Sequence, residues 1–323
     1  MNKLRIALLA GGWSGEREIS VKSGESVYNA LDKSKYEVRQ YDPRDDLVTL
    51  IHERSNIDLA FILLHGKYGE DGCVQGFLEL LGIPFVGSGV LASAMAMNKR
   101  MAKDRYKSVG LKVVEDVVLQ RGEPYSPDVI LEKLGSSTVV KPVSEGSSLG
   151  VSICHSRDDL LRGIEAAFDL DEEVLVEKYV KGREVTCCVF GNRTLEALPL
   201  IEIVPNPGYA FFDYAAKYTP GASREICPAP LRKEEAAEAE SCAKEAHRAL
   251  QCEIWSRSDM IIQDGEVFLL ETNTIPGMTE TSLVPLAART AGFTFAEFLD
   301  RLIELSLKKR HPHAAMGRTQ SDE

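Results

Sequence analysis

Near the C-terminal end of the 323-residue chain, the segment FLLETNTIPGM (268–278) is an apolar run that closes on Glu271 and Asn273 and then on the pair Pro276-Gly277. The preceding segment IWSRSDMII holds Arg257 and Asp259. A Gln-Asp-Gly turn between two such runs predicts a hairpin, and strand side chains alternate faces. Val267, Leu269, Glu271 and Asn273 are expected on one face, and Arg257 with Asp259 on one face of the partner strand. With a three-residue turn, Asp264 to Glu266, residue 259 falls opposite 271 and 257 opposite 273. Two carboxylates and an amide oxygen suit a hard divalent cation such as Mg²⁺, which takes oxygen ligands and shares itself with phosphates. The same residues also suit a buried Arg–Asp ion pair at a strand end. A buried acid pair with neither metal nor base would be costly.

A metal of that kind directs attention to phosphate-binding groups. VVKPVSEGSSLGVSI (139–153) places Lys141 at the end of an apolar strand and follows it with Glu145-Gly146-Ser147-Ser148-Leu149-Gly150. Glycines let backbone N–H groups approach phosphate oxygens, serines add hydroxyl donors and lysine adds charge. The G-x-x-x-x-G-K-[ST] pattern is absent, so this is not a P-loop, and a plain Gly/Ser hairpin turn reads the same way. EVLVEKYV (173–180) sets Glu177 and Lys178 in an apolar strand. That suits the edge of an adenine slot, or an edge strand with its charges turned outward.

These residues must be positioned by elements of several kinds. LRIALLA (4–10) predicts a buried parallel strand, Gly11, Gly12 and Gly15 a turn, and a helix is expected from Ser20. YEVRQYD (36–42), LAFILLHG (59–66) and IPFVGSG (83–89) predict further strands with helices between them, hence an open, mostly parallel α/β sheet over residues 1 to about 95. Residues 91–110 predict one helix leading out, stopped at Gly110. STVVKPV, GVSICH and EVLVEKYV predict strands of a small antiparallel α+β domain, with a helix over 157–168. From Arg183, REVTCCVF and TLEALPLIEIV predict one hairpin, residues 233–251 a helix, and the Arg257/Asp259 hairpin follows. Residues 205–221 carry five aromatics and Lys217 without periodicity, the mark of a functional loop. The expected domains are 1–97, α/β; 98–184, central; 185–309, C-terminal, with loop 205–221; and a disordered tail, 310–323.

A net charge of −11 argues against a chain that coats nucleic acid or an anionic membrane. Seven cysteines, an odd number with no C-x-x-C, point to free thiols in a reducing compartment. The N-terminal apolar run is only about seven residues, at the floor for a signal peptide. No apolar stretch approaches the ~20 residues of a spanning helix, so a cytoplasmic protein is expected.

Taken together, LLAGGWSGEREIS (8–20), LHGKYGEDGCVQG (64–76), VKPVSEGSSLGVS (140–152), VLVEKYVKGREVT (174–186), FFDYAAKY (211–218) and LLETNTIPGMTETSLVP (269–285) resemble the D-alanine–D-alanine ligase family of the ATP-grasp superfamily. The resemblance runs over residues 4–308, six motifs in family order. It implies an N-terminal α/β domain followed by a two-domain clamp on ATP. It also implies formation of D-alanyl-D-alanine through a D-alanyl phosphate, for peptidoglycan precursors. By this resemblance Asp259, Glu271 and Asn273 hold two Mg²⁺ ions, with Mn²⁺ an alternative. Lys99, Lys141, Lys217 and Ser148 meet ATP phosphates, Glu177, Lys178, Tyr179 and Val180 the adenine, and Glu184 the ribose. Glu16 holds the first D-alanine's ammonium with His65 beside it, and Ser147 and Tyr218 link Glu16 to the long loop. Arg257 and the Gly277 N–H form an oxyanion hole, and Ser282 and Leu283 cradle the second carboxylate at a helix start. The resemblance also implies a homodimer. The chain departs from the family's usual residues at Trp13 and Ser258.

Singly, Glu16 also reads as an acid favouring a helix N-terminus, His65 as a strand-end histidine and Lys99 as a solvated helix charge. An NAD-dependent oxidoreductase would use Asp42 as its ribose acid, but AGGWSG (10–15) is not G-x-G-x-x-G. A non-enzymatic ATP-binding regulator would not need an oxyanion hole. Another ATP-grasp ligase would lack the amino-acid selectors Glu16 and Tyr218. Relatives making D-alanyl-D-lactate carry Phe where Tyr218 stands, so tyrosine favours an amine acceptor, D-alanine before D-serine.

Overall fold

The computed structural model describes residues 3–146, 149–206 and 223–308. Among the described residues three sheets order the chain. The first is parallel and built from β1 (Leu4–Leu9), β2 (Tyr36–Tyr41), β3 (Leu59–Ile62) and β4 (Phe85–Val86), in the order β2-β1-β3-β4. Helix α1 (Arg17–Ala30) begins at Arg17, three residues before the expected start at Ser20, with Glu16 at its N-cap. The earlier start buries Ser20, whose hydroxyl accepts from Gly11 N at 2.8 Å and donates to Leu63 O at 2.7 Å. Helix α2 (Pro43–Glu53) is capped by Asp42, which also accepts from Gly12 N at 2.9 Å and pairs with Arg17. That set of partners gives Asp42 a structural task and removes the acid an oxidoreductase reading would need.

Helix α3 (Cys73–Leu81) precedes β4. The single helix expected over 91–110 is two, α4 (Val90–Met97) and α5 (Lys99–Ser108). The chain turns at Asn98, whose φ of −87° and ψ of 102° are not helical and whose side chain accepts from Met101 N. Asparagine offers the backbone this alternative more readily than most residues. Gly110, at φ 82°, sits just past α5 as expected.

The second sheet has the order β5-β8-β6-β7. Residues 111–136 carry no assignment from sequence. They supply β5 (Asp116–Gln120) and α6 (Pro127–Leu134), the latter started by Ser126 and Pro127. The others are β6 (Thr138–Pro142), β7 (Ser152–Cys154), α7 (Arg157–Phe168) and β8 (Glu173–Lys178). β8 lies inside the sheet, between β5 and β6, so Glu177 is not an outward charge on an edge.

The third sheet runs β12-β11-β9-β13-β14, with β10 beside β9. Its strands are β9 (Arg183–Gly191), β10 (Leu195–Ala197), β11 (Ile201–Pro205), β12 (Ser223–Ile226), β13 (Ile254–Gln263) and β14 (Glu266–Asn273). Helix α8 (Lys233–Ala249) covers one face through Ala239, Cys242, Ala243 and Ala246, packed on Val185, Cys187, Met260 and Leu269. Helix α9 (Leu283–Thr290) brings Val284 and Ala287, and α10 (Phe295–Leu307) brings Phe298 and Leu302, into the same core as Ile6, Leu8 and Phe190. The first and third sheets therefore share one apolar layer. All seven cysteines are free, and five are buried. Among the described residues no helix is long and apolar enough to cross a membrane.

The hairpin β13–β14 departs from expectation in two linked ways. Its turn is two residues, Asp264 and Gly265, both with positive φ (51° and 84°), and Gln263 pairs with Glu266. Positive φ at both centres is the geometry that matches strand twist in a two-residue hairpin. A bulge then shifts the pairing between Asp259 and Met260, so Met260 faces Leu269 while Asp259 faces Glu271. The extra residue, Leu270, breaks the alternation. Val267 and Leu269 pack with α8, whereas Glu271 and Asn273 lie on the opposite face, not on the face of Val267 and Leu269 as expected.

Candidate active site

A cavity of about 710 Å³ opens between the first sheet, the Gly-rich segment after β6 and the end of the third sheet. Glu16, His65, Lys99, Arg257, Glu271, Asn273, Gly277, Ser282 and Leu283 all line it, so residues spread over 268 positions of sequence meet. Asp259 stands behind Arg257. The pair is bidentate, with Nε to Oδ1 at 3.0 Å and Nη2 to Oδ2 at 2.9 Å. Thr186 on β9 adds a hydroxyl to Asp259 Oδ1 at 2.6 Å. The buried Arg–Asp pair and the oxygen-rich hairpin end are thus both present.

Glu16 reaches the cavity because it caps α1 just where the chain leaves β1. Its Oε2 lies against two glycines: a Cβ would sit 2.8 Å from it on Gly66 and 3.0 Å from it on Gly146. A Cβ at either glycine would push this carboxylate aside, so glycine at both positions lets the two segments lie against it. His65 is buried, with Nε2 3.5 Å from Ser23 Oγ. Burial lowers its pKa against the pull of Glu16, so the imidazole is neutral.

Glu70 is a site residue that the sequence reading misses. It lines the cavity, is only 9 % exposed and accepts from Gly66 N at 2.7 Å. Burial first, then the charge of Glu16, pushes its pKa up to about 8. At neutral pH it is protonated, which spares the cavity a third anion beside Glu16 and Glu271. The signal was the glycine-flanked acid in HGKYGEDG.

The nucleotide residues expected from sequence form a second group. Lys99 starts α5 and donates to Glu145 O. Lys141 Nζ meets Glu177 Oε2 at 2.6 Å. Burial would lower the Lys141 pKa, but Glu177, then Glu271 and Glu184, hold it raised. Lys141 therefore lies within electrostatic reach of Glu271 on the hairpin as well as of Glu177. Glu184 pairs with Ile261 on β13. Lys178 is exposed, Tyr179 packs edge-on against His155 at 5.9 Å and Val180 is buried. Glu177, Lys178, Tyr179, Val180 and Glu184 do not line the 710 Å³ cavity. Ser147, Ser148, Lys217 and Tyr218, with most of loop 205–221 and the tail 310–323, lie outside the described residues.

At the far end, Pro276-Gly277 leads to Ser282, the N-cap of α9. Ser282 Oγ meets Thr279 Oγ1 at 2.7 Å and accepts from Thr279 N at 3.0 Å. The α9 start thus brings Ser282 and Leu283 to the cavity, with helix N–H groups suited to an anion. Trp13, one of the departures, is half-exposed and stacks edge-on against Tyr68 at 5.8 Å. Ser258, the other, bonds Thr272 Oγ1 at 3.0 Å on the face away from Asp259 and Glu271.

Metal fit can be judged from the donor set. Among the described residues no group of three or more His, Cys, Asp and Glu side chains could hold an ion. Asp259 and Glu271 face each other across the hairpin, and Asn273 Oδ1 accepts from Ile275 N at 2.9 Å. Both Asp259 oxygens already accept from Arg257 and Asn273 Oδ1 from Ile275 N, so this donor set fits a hard cation only where phosphate and water complete the shell, not as a cage made by protein alone.

A parallel α/β sheet followed by two antiparallel sheets around a cleft of this lining is the architecture of an ATP-grasp enzyme. The family model for the D-ala D-ala ligase C-terminus matches residues 106–304, and that for the N-terminus matches 42–88. The chain is 55% identical over 306 residues to a D-alanine–D-alanine ligase of Syntrophobacter fumaroxidans, covering 95% of this chain and 98% of that protein. It superposes on the crystal structure of D-alanine–D-alanine ligase from Bacillus anthracis complexed with ATP with a TM-score of 0.83 at 37% identity, over 94% of this chain and 98% of that one. The VanG D-Ala:D-Ser ligase from Enterococcus faecalis follows with a TM-score of 0.79 at 31% identity, over 94% and 100%. The chain belongs to the D-alanine–D-alanine ligase family.

Proposed function

We propose that this chain joins two D-alanines at the expense of ATP, giving D-alanyl-D-alanine, ADP and phosphate, a step in making cell-wall precursors. The observation that carries the reading is the Glu16 carboxylate set between Gly66 and Gly146, in one cavity with Arg257, Glu271 and the α9 N-terminus. An amino acid's ammonium fits Glu16, and its carboxylate then points towards the hairpin.

The residues divide the chemistry. A carboxylate becomes a good electrophile once phosphorylated: the first D-alanine's carboxylate oxygen takes the γ-phosphoryl group as ADP leaves, and the second amine then attacks the acyl carbon as phosphate leaves with that oxygen. Lys99 and Lys141 supply positive charge for the transferring phosphoryl group. Glu16 holds the first ammonium, and neutral His65 packs beside it without repelling it. Arg257, fixed by Asp259, and the Gly277 N–H stabilise the oxyanion formed when the second amine attacks. Ser282 and Leu283, at the α9 N-terminus, take the second carboxylate. Asp259, Glu271 and Asn273 would hold Mg²⁺, two ions by resemblance, which when bound neutralises charge between phosphate oxygens. Ser147, Ser148, Lys217 and Tyr218 complete the set in the proposal. The same proposal divides the chain at 97/98 and 184/185. The break at Asn98 supports the first limit, whereas the second falls two residues into β9. A cytoplasmic homodimer belongs to the same reading.

The likeness to a D-Ala:D-Ser ligase favours one second reading, D-serine as acceptor. Phosphate release from Mg-ATP with D-alanine, with product mass, decides both. Parallel reactions with L-alanine, D-serine and D-lactate set the acceptor. ATP hydrolysis indifferent to D-alanine would overturn the substrate assignment.

A further inference from the structure

Lys103 takes no part in the sequence reading, yet it is the most deeply buried charge near the nucleotide residues. It lies one helical turn after Lys99 on α5 and is 2 % exposed. Lysine is almost never buried to that degree without partners. Its Nζ donates to Val114 O at 2.7 Å, meets Glu177 Oε1 at 2.5 Å and lies 3.1 Å from Asp116 Oδ1. Lys141 holds the other oxygen of Glu177, Oε2, at 2.6 Å. One carboxylate, 3 % exposed, thus carries a lysine on each oxygen, from two different elements.

One lysine would suffice to balance the charge. The second does something else: it fixes the plane of the carboxylate. Each oxygen keeps a lone pair beyond the one its lysine uses, so the group can still accept from a ligand but has no proton to donate. Burial alone would raise the pKa of Glu177, but Lys141 and Lys103 together bring it down to about 2. Asp116 does not need Lys103 in the same way, because exposed Lys107 reaches it at 2.9 Å.

Purines differ at the edge such a group would meet. Adenine presents an amino donor at position 6, and guanine a carbonyl acceptor. A buried site built around a fixed acceptor rejects the analogue that brings a second acceptor, because both are left unpaired. We infer that Lys103 is a positioning residue for the nucleotide base: by fixing Glu177 as an acceptor-only carboxylate, it makes the site prefer a base with an amino donor over one with a carbonyl. The inference rests on the ATP-dependent reading and on its placing of Glu177 at the adenine.

The test compares wild type with Lys103→Met, which keeps the length and removes the charge. KM for ATP, GTP and D-alanine are measured separately, with dipeptide mass as the product check. The expected result is an ATP KM raised about tenfold, the scale of one hydrogen bond to a charged group. The ATP-over-GTP ratio of kcat/KM should fall by a similar factor, with the D-alanine KM within about twofold of wild type. An unchanged ATP KM and an unchanged ratio would overturn the inference. So would an equal rise in the ATP and D-alanine KM values, which is what general loosening produces. Asp116→Asn removes the other carboxylate partner of Lys103, and a shift in base preference as large as that of Lys103→Met would also count against it. Should Lys103→Met not fold, Lys103→Gln, which keeps a donor for Val114 O, carries the same test. Failure of the wild type to make dipeptide would refute the substrate reading alone. Calorimetric binding of ATP against GTP would then still decide the role of Lys103.

Discussion

Replacing Glu70 with glutamine should make the protein more stable, and increasingly so as pH rises. The carboxyl is buried at the cavity wall, and its pKa stands at about 8 in the fold against an ordinary 4.5. Burial is the main cause, with Glu16 and Glu271 adding to it and the Gly66 N–H and Arg257 opposing it. Between those two pH values the folded chain keeps a proton that the unfolded chain has released. Stability from this group is therefore fully present below about pH 4.5 and is lost as pH rises towards 8, at up to ~1.4 kcal/mol per pH unit. Over the whole window the loss is on the order of 3–5 kcal/mol, a large part of a typical domain's stability. Glutamine does not titrate, has nearly the same shape, and its Oε1 can accept from Gly66 N in place of the bond now at 2.7 Å. Urea unfolding of both proteins at pH 5, 6, 7 and 8, without nucleotide, D-alanine or divalent cation, isolates the term, because other groups cancel in the difference. Glu70→Gln should gain on wild type by about 1 kcal/mol per pH unit over this range. A difference that stays flat within about 0.5 kcal/mol would refute the claim that the fold holds Glu70 protonated.

Three further outcomes follow from the same geometry. Arg257→Lys loses the bidentate pair with Asp259, so steady-state kinetics should show kcat down about a hundredfold or more with the ATP KM little changed. Gly146→Ala places a Cβ 3.0 Å from Glu16 Oε2. The D-alanine KM should rise about tenfold or more while ATP binding, read by calorimetry, is kept. Phe298→Ala empties a fully buried position where the first and third sheets share a core. Denaturant unfolding should show a loss of about 3–5 kcal/mol, and inactivation should move to lower temperature.

Much of the architecture could be read from period and punctuation. Helix 157–168 has the predicted bounds because Ser156 caps it and its apolar residues recur at helical spacing. Gly110 stops a helix because it takes a positive φ at no steric cost. The break at Asn98 was less legible, since the apolar pattern runs through it and only the cap geometry separates α4 from α5. Residues 111–136 show little in their apolar pattern, although Ser126, Pro127 and Gly135 mark both ends of α6. The site was legible where a residue type is itself unusual, as with a carboxylate closing an apolar strand. Lys103 and Glu70 escaped because their roles come from burial, which no spacing displays. Lys103 reads as one more charge on a lysine-rich helix until Glu177 and Asp116 are seen to meet it across 74 and 13 positions.

The hairpin end poses the sharpest version of this difference. The expected three-residue turn places Asp259 opposite Glu271, and the structure has that pair, but by another route. A two-residue turn sets Met260 against Leu269, and one extra residue, Leu270, restores the pairing beyond it. Two departures of opposite sign cancel in register and do not cancel in facing. Had β14 kept strict alternation, Glu271 and Asn273 would share the face of Val267 and Leu269 and point at α8, among Ala239, Ala243 and Leu250. A carboxylate there would be buried without partners at a cost of several kcal/mol, or protonated and useless to a cation. The bulge lets one strand lay its apolar half on a helix and turn its polar end into the cleft. Thr272 then takes the helix-side position and pairs with Ser258 at 3.0 Å, so the polar switch leaves neither of these two hydroxyls without a partner. That accounts for a strand that is apolar for most of its length and acidic where it ends.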